Sequence, residues 1–320
     1  RGVFEHADHA TPRLEHGYCV DDVARALMVV VREPNQTPQL ATRAEAYLSF
    51  VATAVTADGR CRNRLSVAGD WADDASVGDC WGRALWGLGT AYAESPALRR
   101  DALEAAHTLA AQRSPDVRAM AFAAIGAGEF VLAGVRDDRI LALLADAAAS
   151  IPVLPGREWA WPEDRLRYAN GSLAEAAIIA GQALEDPMLL FRGLDMLETL
   201  LHIETRGGHL SVTGTEGRGP EDRGVLFDQQ PIEVAAIADA AARAFAITGE
   251  RRWRHAVELA WRWFLGDNDS GIPMVDLATG AGFDGLERHG RNENRGAEST
   301  LAALSTWQHA RRLDVLDYES

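Results

Sequence analysis

Residues 227–245, FDQQPIEVAAIADAAARAF, decide the fold. Asp228, Gln229 and Gln230 open the stretch with polar groups, and Pro231 then supplies the fixed φ that suits the first turn of a helix. From there the positions are apolar almost all the way round: Ile232, Val234, Ala235, Ala236, Ile237, Ala238 and Ala240. A helix with no polar face lies inside a protein. The stretch therefore predicts an interior helix that meets water only at its N-terminal end.

The same design recurs along the chain. Interior helices are expected to begin near residues 17, 78, 115, 168, 228 and 296. Amphipathic helices follow five of them, over 41–55, 96–112, 137–150, 187–203 and 251–265. The turns from interior to amphipathic helix are short, around Pro34, Ser95, Arg136, Asp186 and Gly249, whereas the long loops run the other way. Helices joined by short turns are antiparallel neighbours. The pattern thus predicts an all-α protein, an (α/α)6 toroid over residues 1–320 as a single domain, with its long loops at one end. Short β-hairpins are expected in those loops, with a strand at RCRNRLSV (60–67) before a turn at Gly69-Asp70 and a hairpin at IPMVDLATGAGFD (272–284). The sixth interior helix has no clear outer partner, which predicts an uncovered place beside it, filled by residues 1–16, another chain or a further domain. The chain opens at Arg1 without a methionine and reads as a fragment or a processed chain.

Composition narrows the function. Asp and Glu number 47 against 32 Lys and Arg, a net charge of −15, which argues against a nucleic-acid partner because phosphate binding runs on Lys and Arg. A neutral partner such as a sugar is compatible with it. No apolar run approaches the roughly 20 residues of a membrane span. Three cysteines, Cys19, Cys61 and Cys80, without zinc-ligand spacing, read as free thiols of a cytoplasmic protein. No βαβ alternation and no glycine-rich phosphate loop is present, and no metal or cofactor is expected.

Polar residues gather where long loops enter the interior helices: Asp21 and Asp22, Asp79 and Arg83, Tyr168 and Asn170, Asp228 to Gln230 and Glu233, and Asn294 and Glu298. Tyr18, Trp71, Trp81, Trp159, Trp161 and Phe227 are interleaved with them. Rings stack on sugar faces, and amides and carboxylates bind hydroxyls. Each residue also has a plainer reading. Asp, Asn and Gly at a helix start are ordinary caps, and Glu233 falls at the third helical position, that of a capping box. Trp81 and Trp86 are equally suited to the core.

The motifs GYCVDDVARAL (17–27), DCWGRALWGLG (79–89), FDQQPIE (227–233) and NRGAEST (294–300) resemble those of a bacterial all-helical domain. That domain is often attached to group-1 glycosyltransferases and belongs among the six-hairpin glycosidase-like folds. The resemblance covers nearly the whole chain. It implies a carbohydrate-active toroid with a possible fused or associated glycosyltransferase domain. It carries no catalytic assignment.

Chemistry supplies one. Glycoside hydrolysis needs a protonated acid and an ionised carboxylate, and these need opposite surroundings. A carboxylate at a helix N-terminus is held ionised, the expected setting of Asp22 and Asp228, one or the other of which is expected to serve as general base. Glu163, after Trp159, Trp161 and Pro162, is expected to be desolvated and to serve as general acid. Asp22, Asp79, Glu163, Asp228 and Glu298 are expected to converge on one pocket, and analogy favours inversion. Two alternatives stand beside this reading. A sugar epimerase or isomerase of similar fold needs histidines, and the interior helices are nearly free of them, since His107, His202 and His255 fall on outer ones. A non-catalytic carbohydrate-binding domain assisting a glycosyltransferase is the other.

Overall fold

A computed structural model describes residues 2–152 and 159–316. The described chain falls into two compact units: residues 2–6, 12–151 and 179–190 form the first, and 7–11, 152, 159–178 and 191–316 the second.

The first unit is a series of helical hairpins. Interior helix α1 (Val20–Val31) packs on α2 (Pro38–Ala54), α3 (Asp79–Glu94) on α4 (Arg99–Leu109), and α5 (Val117–Leu132) on α6 (Asp138–Ser150). Helix starts follow the capping chemistry of the sequence. Thr37 accepts from Leu40 N at 3.2 Å ahead of Pro38, Asp116 from Arg118 N at 2.8 Å, and Asp137 from Arg139 N at 2.9 Å. The interior helices pack against one another in turn, α1 on α3 and α3 on α5.

The α3–α5 seam is unusually close because glycines line it. A Cβ on Gly82 would lie 2.3 Å from the Ala119 carbonyl oxygen, and one on Gly89 would lie 2.3 Å from that of Gly126. The two contacts are seven residues apart on both helices, so α3 and α5 run parallel. Phe122 and Ile125 on α5 and Leu85 and Leu88 on α3 are fully buried beside them. The strand expected at 60–67 is present as Arg64–Leu65, paired antiparallel with Tyr18–Cys19.

The second unit carries α9 (Pro231–Thr248), α10 (Arg251–Phe264) and α11 (Ala297–Arg312), which pack on one another. Helix α7 (Gly171–Ala183) and helix α8 (Pro187–Glu204) precede them in the chain. The N-terminal part of α7 lies against α9: a Cβ on Gly171 would meet the Ala236 carbonyl oxygen at 2.3 Å, and Glu175 pairs with Arg243 at 2.9 Å. Contacts advance along both helices in the same direction, so this pair is parallel too. Helix α9 ends where Gly249 takes the left-handed conformation, φ 67°, and returns its N–H to Phe245 O. The hairpin expected at 272–284 forms, with Val275–Asp276 antiparallel to Ala281–Gly282. A second one pairs 285–287 with 290–292. Among the described residues no helix follows α11. No described helix is long and apolar enough to cross a membrane, and Cys19, Cys61 and Cys80 are buried free thiols.

Candidate functional site

The start of α9 is clamped from two sides. Gln229 bridges Gly214 on one side and Leu286 on the other, and its backbone exchanges both hydrogen bonds with Leu286, at 3.0 and 2.8 Å. Its side chain reinforces the clamp, because Nε2 donates to Asp269 Oδ2 at 2.7 Å and Oε1 accepts from Trp263 Nε1 at 3.2 Å. Gln229 is fully buried and ties the segment down; it is not the substrate contact expected of it.

Asp228 is held between these strands. Its carbonyl accepts from Thr215 N at 3.2 Å. Gly285 makes room for its side chain, since a Cβ there would lie 2.2 Å from Asp228 Oδ1. That oxygen is buried and has no hydrogen-bond partner. Burial, then the charges of Glu287 and Asp284, hold the carboxyl above the usual carboxylate range. These surroundings oppose the charge that a helix N-terminus was expected to favour on Asp228. The residue precedes the first turn of α9 by three positions, and desolvation beside two acids outweighs the helix end. Asp284 itself accepts from Gly296 N at 2.7 Å, at the start of α11, while Glu287 is exposed.

Close by is a cavity of about 550 Å³ lined by Arg167, Tyr168, Thr213, Thr215, Gln230 and Glu233, among others. The volume lies in the range of ligand pockets. Tyr168 is exposed on it. Glu233 does not close a capping box. Its carboxylate accepts instead from Ala169 N, from Asn170 N at 3.3 Å and from Asn170 Nδ2 at 2.8 Å, more than 60 residues away. Asn170 accepts from Arg167 N at 2.9 Å through Oδ1, so it too is structural and fully buried. Three donors favour an ionised Glu233, but burial and then Glu204 prevail and push it up to about 8. Glu204 is fully buried, accepts from Thr213 N at 2.7 Å and is raised by burial as well.

The remaining expected residues of this unit divide. Trp161 is wholly buried and belongs to the core. Glu163 departs from the expected apolar setting: its carboxylate stands 4.0 Å from Arg167 Nε, and its carbonyl accepts from Trp159 Nε1 at 2.6 Å. The indole meets the backbone of Glu163, so the aromatic neighbours do not isolate its acid. Asn294 Oδ1 accepts from His9 N at 2.9 Å and its carbonyl from Asp284 N at 3.0 Å, which holds the loop ahead of α11. Glu298 is half-buried in the first turn of α11.

In the first unit the acids are already answered. Asp22 is buried, with Arg25 Nη1 on Oδ1 at 2.7 Å and the Cys19 thiol on Oδ2 at 3.1 Å. Burial and the Asp22 carboxylate together push that thiol well above its ordinary range. This corrects the expectation that Asp22 serves as base: both its oxygens are engaged and it is closed to solvent. Asp21 is the more accessible of the pair. It takes Asn63 Nδ2 at 2.8 Å and faces Arg83 Nε at 3.6 Å. Arg83 is buried over the Phe122 ring, 4.0 Å from its centroid. Trp81 is fully buried and donates to Leu109 O at 3.1 Å, so it is a core residue and not a sugar-stacking wall. Asp79 is half-buried in the first turn of α3. Of the five carboxylates expected to converge, Asp22 and Asp79 belong to the first unit and Glu163, Asp228 and Glu298 to the second.

Sequence reasoning missed the partners of Asp228 and one histidine. His209 Nε2 lies 3.0 Å from Asp269 Oδ1, and Asp269 is held through its other oxygen by Gln229. His209 sits in a hairpin between Thr205–Arg206 and His209–Leu210, outside the interior helices. The Gly207-Gly208 turn before it was the available signal.

No protein-family model matches the chain, and no curated protein matches it. Solved structures do. Cellobiose 2-epimerase from Bacillus thermoamylovorans superposes with a TM-score of 0.72 at 11% identity, over 96% of this chain and 92% of that one. An α-1,6-mannanase from Salegentibacter sp. gives 0.67 at 14% identity, over 98% and 94%. A D-mannose isomerase gives 0.68 at 11% identity, over 97% and 92%. At such identities the likeness shows the fold alone, and that fold is the all-α (α/α)6 toroid with small β-hairpins.

Proposed function

We propose that the chain is a carbohydrate-active enzyme, a glycoside hydrolase in which Asp228 is the general acid. The observation that carries this reading is the buried, unpartnered Oδ1 of Asp228, held above the usual carboxylate range beside Glu287 and Asp284. Surroundings that disfavour the charge on a carboxyl favour its protonated form, the form that protonates a leaving group. Glu287, exposed and the first charge acting on Asp228, is the carboxylate partner. In the reaction the Asp228 proton passes to the glycosidic oxygen as the C–O bond breaks. Water then bonds to the anomeric carbon and yields a proton to Glu287. An inverting course requires about 6.5–9.5 Å between the two carboxyl groups. The cavity beside Tyr168 and Gln230 holds the adjoining sugar. A neighbouring glycosyltransferase domain, implied by the motifs, and a cytoplasmic location, suggested by the free thiols, belong to the same proposal.

A second reading rests on the His209–Asp269 pair at 3.0 Å. An imidazole held by a carboxylate can take up and return a proton, as sugar epimerisation or isomerisation demands. One assay separates the two. Oligosaccharides and reducing sugars are incubated in D2O and the products resolved by chromatography and mass. New reducing ends that vanish in Asp228→Asn support hydrolysis. Deuterium gained on carbon without chain cleavage, lost in His209→Gln, would overturn it in favour of the second reading. Binding with neither change would leave only a carbohydrate-binding domain.

A further inference from the structure

A second cavity in the same unit, of about 450 Å³, has a different character. Trp159, His202, Arg206, Arg218, Asp222 and Arg223 are among its lining residues. On a chain of net charge −15, three arginines and a histidine round one cavity invert the prevailing sign. The single acid among these six is already used, since Asp222 pairs with Arg165 at 2.8 Å and accepts from Gly219 N at 2.7 Å.

Arg218 is the informative member. It is 6% exposed, and two of its nitrogens are bound to carbonyls, Nη1 to Gly224 O at 3.1 Å and Nη2 to Ser211 O at 3.5 Å. Its Nε is buried and has no acceptor. Burying a guanidinium with a donor unsatisfied costs free energy unless something answers it. Glu204 does so only in part, because burial raises that carboxyl and so disfavours its charge. Burial, and the like charge of Arg206, act to lower Arg218 below its ordinary range. An anion in the cavity opposes the like charges of Arg206 and Arg218. Trp159 adds a flat wall, fixed by its indole bond to Glu163 O.

We propose that this cavity is an anion subsite that takes the acidic substituent of a saccharide, with Arg206, Arg218 and Arg223 as ligands and Trp159 against the sugar ring. That the anion is carried by a sugar rests on the reading of the chain as carbohydrate-active; the anion site itself does not. The shared chemistry is a carboxylate, sulfate or phosphate oxygen accepting from guanidinium N–H groups.

Titration calorimetry on the whole chain tests it, with glucuronate, glucose 6-sulfate and glucose 6-phosphate against glucose, and with inorganic phosphate and sulfate alone. The expected result is at least one acidic sugar bound about tenfold or more tighter than glucose. That preference should shrink as salt is raised, and Arg206→Ala and Arg223→Ala should each cut it several-fold. Both arginines are exposed, so both variants should fold as the parent does, checked by their melting temperatures. Equal binding of acidic and neutral sugars, or a preference that survives both substitutions, overturns the proposal. Inorganic anions binding as tightly as every acidic sugar overturns the saccharide assignment. Because the readout is binding, an absence of hydrolysis would count against the hydrolase reading and leave this result untouched.

Discussion

Asp22 and Asp228 begin as the same kind of residue, a carboxylate at the entrance to an interior helix, and meet opposite surroundings. Asp22 is the third residue of α1, and Arg25 and the Cys19 thiol meet its two oxygens. Asp228 lies just before α9, with one oxygen buried and unanswered and with Glu287 and Asp284 as its charged neighbours. The helix end is common to both. Their partners differ, and the partners decide. The charge of an acid near a helix start is favoured when a cation one turn away claims it, and disfavoured when other acids surround it.

Replacing each with its amide sharpens the contrast. Asp228→Asn should cut turnover by roughly 10²–10⁴-fold, the range for a lost acid–base group, while the denaturation midpoint at neutral pH holds or rises, because a disfavoured charge has been removed. Asp22→Asn should do the reverse. It takes the charge from a buried pair and should cost about 3 kcal/mol in urea denaturation, with turnover per folded molecule little changed. Matching losses of activity in the two variants would break the distinction.

Gly285→Ala probes the same comparison without touching an acid. The new Cβ, 2.2 Å from Asp228 Oδ1, must displace the carboxyl or the strand. Overpacking of this kind costs about 1–3 kcal/mol. Activity should fall at least about tenfold, as positioning is lost. Unchanged kinetics would show that the location of Asp228 does not matter.

The pH dependence of stability comes next in size. Glu233 is raised to about 8 in the folded chain, against about 4.3 in an unfolded one. Between those values the folded state holds a proton that the unfolded state has released. The stabilisation is complete below the unfolded value and is lost as pH rises through the window, by about 1.4 kcal/mol per unit for one proton. Denaturation midpoints measured from pH 5 to 8 should therefore fall. Glu233→Gln should flatten that slope while lowering stability throughout, since its amide nitrogen must face one of the donors on Ala169 and Asn170. A slope that persists in this variant would place the titration elsewhere.

Much of the fold was legible because periodicity reports it directly. The run after Pro231 became α9, and the hairpin at 272–284 formed where its turn residues lie. The parallel α3–α5 seam is less legible, because Gly82, Gly89 and Gly126 allow a close approach without naming the helix that makes it. The site was less legible because partners far apart in sequence set its chemistry. Glu233 has the spacing of a capping box, yet its acceptors serve residues 169 and 170. Gln229 stands beside Asp228 in the same polar run, yet is consumed by Asp269 and Trp263. Residue type marks the start of α9 as polar, but only the folded neighbours separate the unpartnered oxygen of Asp228 from the paired side chains of Gln229 and Glu233.

Glu163 gives the smallest effect and the sharpest check on that separation. Its neighbours in sequence, two indoles and a proline, suggest an isolated acid, but in the folded chain the carboxylate faces Arg167 across 4.0 Å. Arg167 is 66% exposed, so solvent screens the pair and Glu163→Gln should change stability by less than about 1 kcal/mol. Turnover should stay within a few-fold of the parent, since the carbonyl that accepts from Trp159 is retained and the amide keeps the shape of the side chain. The informative measurement is kcat for this variant beside Asp228→Asn on one substrate. A loss of roughly 10²-fold or more in Glu163→Gln, with Asp228→Asn active, would return the acid to the tryptophan loop. It would also mean that the surroundings of Asp228 are a feature of folding and not of catalysis.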